Sequence, residues 1–333
     1  MSKQQPFLCD KPYEFVPLLE KCEKEKYSSH NLVEKDTYSG KLKLEILVES
    51  PLHIGSRQQD YDEYGSVIKK QMRRNGCIIV PGSSLKGVVR SIAEAVSYSC
   101  AVKAPYQELE RLLPPLNNTA CKNINKEGLC ITCSIFGMAG RKDSYRGKVQ
   151  FEEFVMKSGS TVYEKLPPLK SPSCDKVCYF AGTEKEGERQ KTGFLGRKFY
   201  GTGREAQIES NEKSRYEMIA PGSVLEGEVI FQNLRKEEGK VLFYALGIGH
   251  HFTMKLGYGK PLGYGETKVI LKEVETLAKW YPSQRKLSVD MVKNWAEEYR
   301  SDSPAEIKKA LQEFERIMGI KDHAKGSGVT DSN

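Results

Sequence analysis

Cys130 and Cys133 stand two residues apart in CITCSIFG, the spacing that lets two thiolates reach one zinc ion. Cys121 offers a third ligand and Cys100 a fourth, while His53, His250, Cys174 or Cys178 could replace Cys100. The plainer reading is a set of buried, inert thiols. A second group suits an anion. In GCIIVPGSSLKGVVRSIAEAVSY, Gly76 to Tyr98, Ser83 or Ser84 can cap a helix, and Lys86 and Arg90 lie one turn apart near its start. The exposed amides and partial positive charge of that terminus add to the two cations, so the assembly suits a phosphate. The glycine spacing before the lysine is not that of a nucleotide P-loop.

Two further stretches fit the same ligand. In LGYGKPLGYGETKVIL, Leu256 to Leu271, Gly257, Gly259, Gly263 and Gly265 surround Lys260 and are expected to bring backbone amides close to an anion. In RQKTGFLGRKFYGTGR, Arg189, Lys191, Arg197, Lys198 and Arg204 alternate with Phe194, Phe199 and Tyr200, without an acid. Cations for phosphates and aromatics for bases compose a single-strand binding surface.

The elements that must position these groups follow from periodicity. Lys41 to Glu49 alternates, with Leu42, Leu44, Ile46 and Val48 on one face, and predicts a half-buried strand. PLHIGS and a long polar loop come next, holding Asp60, Asp62 and Glu63 and then Lys69, Lys70, Arg73 and Arg74. Cys77 to Val80 reads as a buried strand end, and Leu85, Val88, Val89, Ile92, Ala93 and Val96 form one helical stripe. In order, the spacing predicts strand 41–49, helix 84–97, strand 147–154, strand 222–231, helix 237–247 and strand 266–273. That is an α+β chain with a βαββαβ, ferredoxin-like or RNA-recognition-type core. The expected layout is an irregular extension over 1–40 and a domain over 41–275 with insertions at 99–146 and 157–220. A helical tail over 276–321 (Val289 to Tyr299, then Pro304 to Met318) and a disordered end over 322–333 follow.

Composition narrows the setting. Among 333 residues, 52 basic against 44 acidic side chains give +8 and a pI near 8.8, a balance compatible with a polyanion partner. Nine cysteines without a secretory signal core argue for reduced thiols or metal ligands over a disulfide framework. No stretch is long enough to cross a membrane, so a cytoplasmic protein is expected.

LHIG at Leu52–Gly55, VPGSSLKGVVR at Val80–Arg90, CITCSIFG at Cys130–Gly137, GKVQFEEF at Gly147–Phe154 and LGYGKPLGYG at Leu256–Gly265 together resemble the RAMP superfamily of CRISPR-associated proteins. Their order looks most like the backbone subunit of type III effector complexes, over roughly residues 40–275. The resemblance implies a protein that polymerises with further RAMP subunits along a CRISPR guide RNA, joins other effector subunits and meets a single-stranded target RNA. Carried over, Ser83, Ser84, Lys86 and Arg90 would hold guide phosphates, and Gly257, Gly259, Lys260 and Gly263 would line the same groove. Residues 189–204, with Arg197, Lys198 and Phe199, would form the thumb hairpin that wedges between bases. A structural zinc near the C-x2-C segment is common in the family, which supports Cys121, Cys130 and Cys133 as ligands.

In catalytic members an aspartate after LHIG assists cleavage of target RNA by magnesium or another divalent cation. Asp62 and Asp60 occupy that loop, although here Asp62-Glu63-Tyr64-Gly65-Ser66 precedes Val67-Ile68, where the family's aspartate lies a few residues before a Val-Ile-Arg pair. Two other functions compete. One is a precursor-RNA processing endonuclease using His53, His250 or His251, to which PGSSLKG is foreign. The other is a non-catalytic, zinc-stabilised RNA-binding module.

Overall fold

The computed structural model describes residues 5–6, 12–100, 121–122, 124–140, 143–169, 180–185, 188–202 and 214–319. Strands β1 (Tyr13–Val16), β2 (Tyr38–Val48), β3 (Gly55–Tyr61), β4 (Val67–Gln71) and β5 (Cys77–Val80) precede helix α1 (Gly82–Ala95). The short helix α2 (Ile131–Phe136) leads to β6 (Phe154–Ser158), β7 (Thr161–Leu166), β8 (Arg197–Tyr200), β9 (Ser214–Ile219) and β10 (Val224–Leu234). Helix α3 (Lys236–Ala245), β11 (Glu266–Thr276), α4 (Val289–Asp302) and α5 (Ala305–Met318) follow. The architecture is α+β.

The main sheet runs Met254–Lys255, β11, β2, β10, β6, β5 and Arg73–Arg74, with Val149–Phe151 also paired to β10. Every pairing in it is antiparallel. β10 therefore lies between β2 and β6, the strands on either side of α1 in sequence. Likewise β2 lies between β10 and β11, which flank α3. The two helices pack on one another.

β2 shows why the sheet has a dry and a wet face. Leu42, Leu44, Ile46 and Val48 are buried beneath the helices, as their alternation predicts. The intervening side chains pair across strands: Lys41 reaches Glu228 at 3.0 Å, Lys43 reaches Glu273 at 2.8 Å and Glu275 at 2.7 Å, and Lys272 reaches Glu45 at 3.0 Å. The C-terminal helices join the same core. Trp295 of α4 stacks on Phe243 at 5.8 Å and meets Tyr38 edge-on at 4.8 Å. Gly239 makes room for it, since a Cβ there would lie 2.8 Å from the indole. Among the described residues no helix is long and apolar enough to cross a membrane.

Three local expectations differ. The polar stretch after LHIG is a β-hairpin, β3 and β4, in a second sheet of order β7, β9, β4, β3. Its first strand is exposed on both faces, so no alternation betrays it. The first forty residues contribute β1, which pairs with β8. Neither Ser83 nor Ser84 caps α1: the N-cap is Pro81, and both serines sit in the first turn. Cys174, Cys178, Arg204 and residues 322–333 lie outside the described residues. Glu188–Phe194, which holds Arg189, Lys191 and Phe194, pairs antiparallel with Phe180–Lys185 as a hairpin.

Candidate nucleic-acid groove and metal centre

α1 begins flat against the sheet because Gly82 abuts the Phe151 carbonyl, where a Cβ would lie 2.0 Å from the oxygen. Leu85, Val89 and Ile92 then face the core. The adjoining stripe, Ser84, Gly87, Val88 and Ser91, walls a cavity of about 340 Å³. Lys198, Phe199 and Tyr200 of β8 form a second wall, Met254, Lys255 and Lys260 a third, and Met318 at the end of α5 closes the floor. Its lining thus combines three lysines with the apolar side chains of Val88, Ile92, Phe199 and the two methionines.

Its cations are held differently. Lys198 Nζ donates to the Tyr200 hydroxyl at 2.9 Å and stands over the rings of Tyr13 and Tyr200 at 4.8 and 4.7 Å. Lys255 pairs with Glu266 at 3.3 Å. Burial, and then the charge of Lys198, push the Lys260 ammonium below its ordinary value. Two neighbouring ammonium groups that disfavour one another's charge gain from an anion between them.

The glycine loop plays a different part from the one its composition implies. The amides of Tyr258, Leu262, Gly263, Tyr264 and Gly265 all donate to protein carbonyls, among them His53 at 2.9 Å and Pro51 at 3.0 Å. At Gly257 a Cβ would lie 2.2 Å from the His53 carbonyl, and φ is +73°. Gly257 therefore lets the loop lie against PLHIG, and what the loop offers a ligand is the Lys260 side chain. Gly257, Gly259 and Gly263 do not line the cavity.

Of the other sequence candidates, Ser83 is exposed and Lys86 is half-buried beside Arg90, neither lining the cavity. Burial, then Arg90, lowers the Lys86 ammonium. Arg90 points elsewhere: Nε donates to Glu94 at 2.8 Å, Nη1 to the Gly137 carbonyl at 2.8 Å and Nη2 to Cys133 Sγ at 3.9 Å. Arg197 pairs with the same Glu94 at 2.7 Å. Phe199 packs edge-on against Phe314 at 5.0 Å and is buried, so it serves the core as well as the cavity wall. Ser91, Tyr200, Lys255, Met254 and Met318 complete the cavity. Ser91 was readable as a small polar residue one face-repeat after Ser84.

Asp60 and Asp62 sit at the tip of the β3–β4 hairpin. Asp62 Oδ1 accepts from the amides of Tyr64 at 3.0 Å and Ser66 at 2.8 Å, the arrangement of a side chain that closes a turn. The Ser66 amide, together with the Tyr64 amide and Arg215, keeps its carboxyl below the usual range. Asp60 is exposed, with Lys70 3.9 Å away. Among the described residues neither aspartate joins two other ligand-bearing side chains. His53 is buried, its Nδ1 2.7 Å from the Glu217 carbonyl, and its imidazole is depressed by burial. His251 pairs with Glu297.

Cys100, Cys121, Cys130 and Cys133 converge in a buried cluster, all four sulfurs within 4.8 Å of one another. Cys100 Sγ is 3.6 Å from both Cys133 Sγ and Cys130 Sγ. Four sulfurs at about 2.3 Å from a tetrahedral zinc stand about 3.8 Å apart, so the set fits a metal such as zinc. α2 presents Cys133 and the short strand before it, Leu129–Cys130, presents Cys130, while Cys22 packs half-buried beside them. The Cys100 thiol and its neighbours hold Cys130 well below the ordinary thiol value.

No curated relative matches the chain. The RAMP superfamily model matches residues 45–268, which takes in the helix, the cysteine cluster and the glycine loop just described, and the chain belongs to the RAMP superfamily.

Proposed function

We propose that this chain is a guide-RNA-binding subunit of a type III CRISPR interference complex, gripping the RNA backbone and shaping the guide–target duplex. Family membership supports the coarser part, a CRISPR-related RNA-binding role. One observation supports the finer part: α1, strand β8 and Lys260 meet at one cavity lined by three lysines and by apolar side chains. Phosphate oxygens suit the ammonium groups, and a ribose or base edge suits the methionines and Phe199.

The strand order β11, β2, β10, β6 with α1 and α3 on one face supports a ferredoxin-like core. Of residues 189–204, the expected thumb, 189–194 lie in the hairpin of Phe180–Lys185 and Glu188–Phe194, whereas Arg197, Lys198 and Phe199 belong to β8. Zinc would be held by Cys100, Cys121, Cys130 and Cys133, where it would tie α2 to the end of α1. Target cleavage by Asp62 or Asp60 with a divalent cation has the exposed hairpin tip in its favour and the turn-closing role of Asp62 against it.

The test is to purify the chain from its native operon and sequence the RNA that accompanies it. CRISPR repeat-derived guide is expected; its absence, with RNA of random origin or none, would refute the reading. Precursor RNA cut by the isolated chain and spared on His53→Ala would favour the processing endonuclease instead.

A further inference from the structure

The groove strand β8 is braced by segments outside the family match of residues 45–268. β1 pairs with it in antiparallel register, from Arg197 opposite Val16 to Tyr200 opposite Tyr13. α5 packs on both strands. Phe314 meets Phe199, Met318 reaches the cavity, and the Gly319 carbonyl accepts from Thr202 Oγ1 at 2.8 Å.

Tyr13 does more than occupy a strand position. Its ring lies 4.8 Å from Lys198 Nζ, and it meets the Tyr200 ring edge-on at 5.8 Å. Lys198 therefore sits in a corner of two tyrosine rings. A ring face attracts an ammonium and fixes its direction. Each rotamer that a long lysine stem gives up on binding weakens the grip, so a stem already held loses less.

We propose that Tyr13, backed by α5, is a positioning residue for the RNA groove, holding the Lys198 ammonium at the cavity rim before a phosphate arrives. The inference rests on the RNA-binding reading of that cavity. The extensions around the family core then serve to pre-order one of its cations.

The test uses the full chain and the variants Tyr13→Leu, Tyr13→Phe, Lys198→Met and Tyr13→Leu with Lys198→Met. Two quantities are read: acylation of Lys198 by an amine-reactive ester without RNA, and affinity for a single-stranded RNA oligonucleotide. Tyr13→Leu should raise Lys198 acylation several-fold and weaken RNA binding about three- to tenfold. Tyr13→Phe, which keeps the ring face, should behave as the parent. In the Lys198→Met background, Tyr13→Leu should cost nothing more. Unchanged acylation in Tyr13→Leu overturns the proposal, as does an RNA loss of equal size with and without Lys198. Raised acylation together with RNA affinity untouched by Lys198→Met leaves Tyr13 as the brace of Lys198 and overturns the RNA reading of the cavity.

Discussion

The groove and the cysteine cluster both border α1, and they are built on opposite principles. At the cluster every functional atom is turned inward: four thiols face one another and Arg90 donates to Cys133. At the groove Lys198 lies against two tyrosine rings, Lys255 pairs with Glu266, and burial and the charge of Lys198 push the Lys260 ammonium down. A resident ion rewards a closed set of ligands whose mutual distances are fixed before it enters. A polymer that must slide in and out rewards cations that are oriented in advance. The same helix serves both, with Ser84, Gly87, Val88, Ser91 and Ile92 lining the groove while Arg90, held by Glu94, reaches the cluster.

The sharpest way to break this contrast is to remove the metal ligands. Cys130→Ser with Cys133→Ser should abolish metal binding, with one zinc per parent chain by elemental analysis and none in the variant. Structural zinc sites contribute on the order of 10 kcal/mol to folding. A parent chain that purifies without metal and melts as cooperatively as the variant would sink the closed-site half of the comparison.

Next in size is the support behind the glycine loop. Glu217, buried in β9, accepts both guanidinium arms of Arg73 at 2.7 and 2.6 Å, and its neighbour Tyr216 stacks on Tyr258 of the loop at 5.0 Å. Burial alone would raise this carboxyl, but Arg73 and the Gln71 amide outweigh it and hold it at about 2. A carboxyl depressed on folding stabilises above its unfolded value near 4.5, and that contribution fades as pH falls toward 2. Glu217→Gln should cost roughly 2–4 kcal/mol at neutral pH. In denaturant melts the gap between parent and variant should close between pH 4.5 and pH 2, the two limits just given. A gap that stays constant with pH would show that the charge is not what matters.

The groove itself is probed by Lys198→Ala with Lys260→Ala. RNA affinity should drop about ten- to hundredfold, and the slope of log affinity against log salt should fall by about 0.7 for each phosphate no longer neutralised. Arg90→Ala should instead lower stability and zinc retention, leaving the salt slope alone. An unchanged slope in the lysine double variant, or a reduced one in Arg90→Ala, would reverse the assignment of the two regions. Asp62→Asn should have the smallest effect, a melting shift of about 2 °C or less, because the amide oxygen can still close the turn. If cutting of target RNA is seen in the parent and vanishes in that variant, the hairpin tip is catalytic after all.

Parts of this comparison were legible in residue patterns and parts were not. The C-x2-C pair names Cys130 and Cys133, and Cys121 follows from proximity in sequence. Cys100 arrives from the end of α1, a contact that spacing does not encode. Lys260 and Lys198 were visible as basic residues among glycines and aromatics. Arg90 shared their signature and went to the metal side, because a helix position fixes the face of a side chain but not its neighbour. The glycine loop misled in an instructive way: its backbone freedom serves close packing against PLHIG, and the amides of Tyr258, Leu262, Gly263, Tyr264 and Gly265 donate within the protein.

Taken alone, the sequence determined the local elements: the buried stripe of α1, the alternation of β2, the thiol pair, and the basic, glycine-rich and aromatic stretches. These depend on periodicity and residue type, which operate over a few neighbouring positions. Only the tertiary structure decided which stretches meet. β1, β8 and α5 come from both ends and the middle of the chain, and their contact around Lys198 depends on long-range strand pairing and apolar packing. No short window of residues contains those forces, so the groove exists only once the chain has folded.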